Sequence, residues 1–204
     1  AKTVINKAFD NDMVGGDTLK RFKRVKKLLK AGANRRDKVL SVEEADALME
    51  AAPAHIKPIL ATAYQTGMRK GEILNLKWNR IDMQERTIRL TPKDTKSGRG
   101  RIIPISESLY PTLKALPKSI HHGEVFLFKG KPITDIRGGL RKACKGAEIP
   151  YGRSALNGFT FHDLRHTFNT DMRKAGVHES VIKKIMGHED PGMVSRYNTI
   201  DLDD

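Results

Sequence analysis

The sequence predicts a mainly α-helical fold carrying one small antiparallel β-sheet, an α+β architecture. Three observations lead there. Apolar residues recur at helical spacing through most of the chain, and residues that start or stop helices bracket those stretches. In the middle, two short β-branched runs flank a polar, glycine-containing connection.

Val4, Ile5, Ala8 and Phe9 resemble the end of an apolar-faced helix, and Gly15-Gly16 then punctuates the chain. Seven basic residues follow: Lys20, Arg21, Lys23, Arg24, Lys26, Lys27 and Lys30. Leu19, Phe22, Val25 and Leu29 fall at helical spacing between them, making a basic amphipathic segment. Such a segment is either a solvated helix face or a linker lying along DNA phosphates, and the charge of the whole chain favours the linker. Ser41-Val42-Glu43-Glu44 is a capping box that opens a helix through Glu50. Pro53 starts the next helical stretch, striped by Ile56, Ile59, Leu60, Ala63 and Tyr64. A third, carrying Glu72, Ile73, Leu76 and Lys77, follows a break at Gly67. Thr87 to Leu90 and Arg101 to Ile105 read as a β-hairpin across residues 92–100, and Val125 to Phe128 as a third strand. Helices are expected at 134–147, 161–175 and 179–186, the last ended by Gly187 as C-cap.

The 204 residues hold 38 Lys and Arg against 24 Asp and Glu, a formal net charge of +14, so the partner is expected to be a polyanion. A membrane surface is disfavoured, because no apolar run approaches the roughly 20 residues needed to span a bilayer. The start, Ala1-Lys2-Thr3-Val4, leads into polar sequence and reads as no signal peptide. Cys144 stands alone, which precludes an internal disulfide and suits a reducing cytoplasm. Only 6% of residues are aromatic, too few for a single-strand binder built on stacking, so double-stranded DNA is the expected partner.

Four motifs point to one chemistry: Arg69, His162-Asp163-Leu164-Arg165, Gly187-His188 and Tyr197. Cutting a phosphodiester without a metal needs a nucleophile, neutralisation of two non-bridging oxygens, and a proton for the leaving oxygen. Arginine suits the second task, because its planar fork matches phosphate and stays charged. His162 and Arg165, three apart on a helix, project from one face, where an imidazole shuttles a proton or donates to phosphate. Tyr197 titrates near 10 in its ordinary state and so needs help to attack. In return, a phosphotyrosine bond keeps the energy of the phosphodiester, and the strand can be resealed without ATP. His162 and His166 have the spacing of a zinc pair, but no Glu follows His162 and Arg165 would oppose a cation, so no metal or other cofactor is expected.

The order Arg, His-x-x-Arg, Gly-His, Tyr resembles the tyrosine recombinase (phage integrase) family. His188 stands twenty-three residues after Arg165, and Tyr197 nine after His188. Thr66-Gly67-Met68-Arg69, Glu72-Ile73-Leu74 and Leu76-Lys77-Trp78 are similar to the surroundings of the family's first arginine, and Thr95-Lys96-Ser97-Gly98 to its lysine-bearing hairpin. The resemblance covers about residues 38–204 and implies the fold of that family's catalytic domain. It implies that Tyr197 attacks to form a 3′-phosphotyrosyl link, with Arg69 and Arg165 stabilising the transition state. Lys96 would protonate the leaving 5′ oxygen, although Lys93 shares its loop. His162 would assist proton transfer from Tyr197, His188 would hydrogen-bond a non-bridging oxygen, and Glu72 would orient the basic residues.

By the same resemblance, residues 1–38 are the end of a core-binding domain with its basic linker, and residues 39–204 the catalytic domain. The expected protein is a site-specific DNA recombinase of a phage or mobile element, forming a tetrameric synapse on DNA in its full-length form. A type IB topoisomerase, or a DNA-binding module with a vestigial site, are the alternatives. Seven residues follow Tyr197, where the family often has a docking tail. A catalytic-domain fragment is therefore expected, with the segment before Tyr197 mobile in the absence of DNA. A duplex-DNA partner predicts steep salt dependence. With on the order of six phosphate contacts, affinity should fall about a hundredfold or more between about 50 and 200 mM salt. A flat response in a filter-binding titration would count against this partner.

Overall fold

Capping chemistry and two left-handed glycines set the boundaries of the elements that carry the arginines. The computed structural model describes residues 2–25 and 38–187, and contacts divide the chain after Arg36 into two units. The first holds α1 (Lys2–Asp10) and α2 (Gly16–Arg24), which pack on each other. The expected helix around Val4 to Phe9 is present. Of the basic amphipathic segment, the described part is helical to Arg24 and extended at Val25, and residues 26–30 lie outside the described residues. Of its apolar stripe, Leu19 is buried while Phe22 and Val25 are exposed.

In the second unit, α3 (Val42–Ala51) opens on the predicted capping box. Ser41 Oγ accepts from Glu44 N at 3.1 Å, and Glu44 Oε2 accepts from Ser41 N at 3.0 Å. α4 (Lys57–Thr66) turns Ile59, Leu60 and Ala63 inward, packs on α8 (Phe161–Lys174), and stops at Gly67. Gly67 has φ 61°, which reverses the chain so that α5 (Lys70–Leu74) can start three residues later. A second capping box starts α8: Asp163 Oδ2 accepts from Thr160 N at 2.7 Å and from Thr160 Oγ1 at 3.0 Å. The aspartate of the His-Asp-Leu-Arg motif is thus the acid that holds the first turn of its own helix. α7 (Arg137–Gly146) lies against α3, and α9 (Glu179–Met186) ends at Gly187, φ 64°, at the predicted C-cap.

The hairpin forms as expected from β2 (Thr87–Leu90) and β3 (Arg101–Pro104), with Ile88 facing Ile103 and Leu90 facing Arg101. Ile88 and Ile103 are fully buried, and the alternate pair Arg89 and Ile102 is exposed. Three features differ from the sequence expectation. The sheet gains an edge strand, β1 (Ile81–Asp82), too short for alternation to register. A helix, α6 (Leu109–Lys114), buries Leu109 and Leu113 one turn apart, although Pro111 sits within it. The Val125 to Phe128 run does not join the hairpin. Val125 N donates to Leu76 O at 2.8 Å, while β4 (Leu127–Phe128) pairs with β5 (Lys131–Pro132) as a separate two-stranded sheet. Lys129 and Gly130 between them both have positive φ, the requirement of a tight type I′ hairpin. Among the described residues there are therefore two small sheets, not one.

A Cβ at position 67 would stand 2.5 Å from Phe168 Cδ1, in a left-handed backbone that side chains resist. Gly67→Ala should therefore destabilise the domain by about 2–4 kcal/mol in urea unfolding. An unchanged midpoint would show that this turn does not constrain α4 against α8.

Candidate active site

Arg69 is placed by the turn after Gly67 and by the acid three residues on. Its backbone is extended (φ −71°, ψ 148°), and Glu72 reaches back to accept from Arg69 N at 2.9 Å and from Arg69 Nη1 at 3.2 Å. The same carboxylate takes Arg101 in bidentate geometry, Nη1 to Oε1 at 3.1 Å and Nη2 to Oε2 at 2.6 Å. Both oxygens of Glu72 thus accept twice, which is how a carboxylate only 3% exposed is kept ionised. Arg165 enters from α8. It is buried and donates from Nη1 to Gly67 O and from Nη2 to Met186 O, the latter at 2.6 Å.

Three guanidinium groups meet the end of α9. Arg101 Nε donates to Ile185 O at 2.7 Å, Arg165 Nη2 to Met186 O, and Arg69 Nη2 to Gly187 O at 3.4 Å. The last carbonyls of a helix have no partner within it, and they carry the negative end of its dipole. Each of these three consecutive carbonyls is matched by an arginine from a different segment.

Burial and the crowding of these charges shift how the groups titrate. Burial, and then repulsion from Arg69, pulls Arg165 down to about 10, so it remains charged at neutral pH. Burial pushes the Glu72 carboxyl up, but the hydrogen bonds and charges of Arg101 and Arg69 outweigh it and hold the group below the usual range. Desolvation, followed by the neighbouring His166 and Arg165, lowers His162 below its ordinary value of 6.5. Its ring meets His166 edge-on at 4.9 Å between centroids. Among the described residues, no group of three His, Cys, Asp or Glu side chains is arranged to hold a metal. His162 and Arg165 line one cleft of about 540 Å³ together with Lys70, Arg137, Tyr151 and Arg153.

The structure therefore brings Arg69, Glu72 and Arg165 together, with His162 one helical turn from Arg165. It does not bring Lys96 to them. Lys96 is exposed in the turn following Thr95, whose Oγ1 accepts from Arg99 N at 3.1 Å and donates to Arg99 O at 2.8 Å. Lys20, Arg21, Lys23 and Arg24 are exposed on α2. His188, Tyr197, Lys26, Lys27 and Lys30 lie outside the described residues, as does the segment before Tyr197. The residue that sequence reasoning missed is Arg101, assigned only to a strand. The signal was periodicity: it shares a face with the buried Ile103, two positions on, and an arginine on an inward face needs a partner.

The sequence model of the phage integrase family matches residues 38–203. The chain belongs to the phage integrase family. The integrase of Salmonella phage P22 is 32% identical over 173 residues, covering 80% of this chain and 44% of that protein. A shufflon-specific DNA recombinase of Escherichia coli is 31% identical over 140 residues, 68% of this chain and 33% of that protein. The chain thus spans less than half the length of either relative. Among solved structures, a XerA recombinase superposes with a TM-score of 0.63 at 29% identity, covering 74% of this chain and 56% of that one. A lambda integrase tetramer bound to a Holliday junction superposes at 0.69 over 98% of this chain and 60% of that one. Its 16% identity makes that a likeness of fold. The architecture is that of this family's catalytic domain, as the motifs implied.

The lowered Glu72 makes the integrase domain acid-sensitive. Its stabilisation is present above the ordinary carboxyl value of 4.5 and is lost as pH falls through the lower folded value. Glu72→Gln should cost about 3 kcal/mol at pH 7, by leaving two arginines facing each other without a counter-charge. The variant should also lose less stability on acidification than the parent. Parallel urea titrations at pH 7 and in acid would show this, and equal acid losses would be the contrary result.

Proposed function

We propose that this chain is the catalytic domain of a site-specific DNA recombinase, which cleaves and rejoins strands through a 3′-phosphotyrosine intermediate. One observation carries the reading: Arg69 and Arg165, from distant parts of the chain, both seat on the carbonyls that immediately precede His188. That places two fixed positive charges beside the start of the segment holding the remaining imidazole and the tyrosine. Such preorganised charge is commonly the largest contribution to phosphoryl transfer.

In this reaction the Tyr197 hydroxyl oxygen bonds to phosphorus as the bond from phosphorus to the 5′ oxygen breaks. The phenol proton passes toward His162, whose lowered pKa leaves it neutral and able to accept at pH 7. Lys96 gives a proton to the 5′ oxygen, and its exposed turn would have to carry it to the arginines when DNA is bound. Arg69 and Arg165 hold the non-bridging oxygens with His188. Glu72 keeps Arg69 in place and does not touch DNA. One phosphoester replaces another, so resealing needs neither metal nor ATP.

The substrate is double-stranded DNA, gripped in part by the exposed basic side chains of α2. Residues 1–38 act as the end of a core-binding domain and its linker. The working assembly contains further copies of the chain, in keeping with the lambda integrase structure of similar fold, which is a tetramer on a Holliday junction. The similarity to the phage P22 integrase supports a role in moving a mobile element, whose DNA the chain would meet in the cytoplasm. Among the described residues, no helix is long and apolar enough to cross a membrane.

On a nicked suicide substrate bearing the element's core site, wild type should give an SDS-stable protein–DNA adduct and Tyr197→Phe none. No adduct from wild type, alone or joined to a complete core-binding domain, would reduce the chain to a DNA-binding module. Relaxation of plasmids without sequence preference would mark a topoisomerase instead.

A further inference from the structure

Arg101 has no part in the reaction described above, yet it is the most heavily engaged cation at the site. Its side chain is 6% exposed, and three of its donors are used, two on Glu72 and one on Ile185 O. It also packs against Gly187, where a Cβ would come within 3.1 Å of its Nη1. Arg101 therefore joins three segments: the strand returning from the Lys96 turn, the α5 turn that carries Arg69, and the residue just before His188.

Competition for Glu72 gives this arrangement its consequence. Arg101 holds the carboxylate through two bonds, the shorter 2.6 Å, whereas the Arg69 side chain makes one bond at 3.2 Å and stays 30% exposed. Without Arg101, a buried carboxylate would face Arg69 alone and draw the guanidinium into a bidentate pair. A guanidinium so engaged cannot turn its fork to phosphate. We infer that Arg101 is a positioning residue for strand cleavage: it neutralises Glu72 so that Arg69 stays available to the scissile phosphate, and it anchors the chain entering His188. The inference rests on the proposed recombinase reaction, and Arg101 itself touches no DNA.

The test is single-turnover adduct formation on the nicked substrate at a series of DNA concentrations. Arg101→Met should slow adduct formation at saturating DNA about a hundredfold, the scale expected when a catalytic group is misplaced by an ångström. The DNA concentration giving half the maximal rate should be unchanged. The double variant Arg101→Met with Glu72→Gln removes the carboxylate that captures Arg69 and should recover about tenfold of that loss, because the two positions are coupled. A wild-type rate in Arg101→Met would overturn the inference, and a double variant no faster than the single would reduce Arg101 to packing support. If circular dichroism shows that Arg101→Met does not fold, Arg101→Lys decides. It keeps the charge but loses the fork, and should be about tenfold slower while still folded by circular dichroism. A wild-type rate there would equally overturn the inference. Absence of adduct with wild-type protein would instead sink the recombinase reading on which the inference depends.

Discussion

Three consecutive carbonyls at the end of α9, each bonded to an arginine from elsewhere in the chain, are the interaction on which the rest of the site depends. Helix ends leave such carbonyls without partners, and a dipole end attracts cations. Gathering three guanidinium groups around one helix end, two of them nearly buried, would be repulsive without a counter-charge. Glu72 supplies it, with both oxygens accepting from Arg69 and Arg101. Burial first, and then the positive charge that remains, lowers Arg165 and His162. A concentration of fixed positive charge with little water around it suits a phosphate, which would relieve the repulsion on arrival.

The surrounding fold makes this gathering possible by ending helices abruptly. Gly67 and Gly187 both take left-handed conformations, and each exposes a carbonyl that an arginine uses. Acids stand at the third position of both α5 and α8. Glu72 closes the first turn of α5 and anchors the arginines, while Asp163 closes the first turn of α8, from which His162 and Arg165 project. At Glu72, local capping and tertiary placement are therefore achieved by one side chain. Its loss is expected to disturb both.

Where local chemistry is sufficient, the sequence was legible. The Ser41–Glu44 box, the Gly67 break, the β2–β3 hairpin and the α9–Gly187 stop each rest on contacts between near neighbours, and all appear where expected. The elements that went unread are too short to show a period or depend on partners far along the chain. β1 is two residues long, too short for alternation to register beside its neighbour β2, and Val125 binds to Leu76, far back in the chain, and not to the hairpin. α6 has a proline within it and relies on burying Leu109 and Leu113. No local pattern announces such pairings, because the free energy comes from surfaces brought together by the rest of the chain.

Sequence alone determined the family, the helix boundaries that caps enforce, and the positions of the residues proposed for phosphoryl transfer. Motif order and spacing are properties of the chain, and capping is governed by atoms a few residues apart. Only the tertiary structure decided which charges share a carboxylate, that Arg101 belongs beside Arg69, and that Lys96 is exposed in its turn. Those are questions of burial and of competition for a limited set of acceptors, and they are settled when segments far apart in sequence fold onto the end of α9.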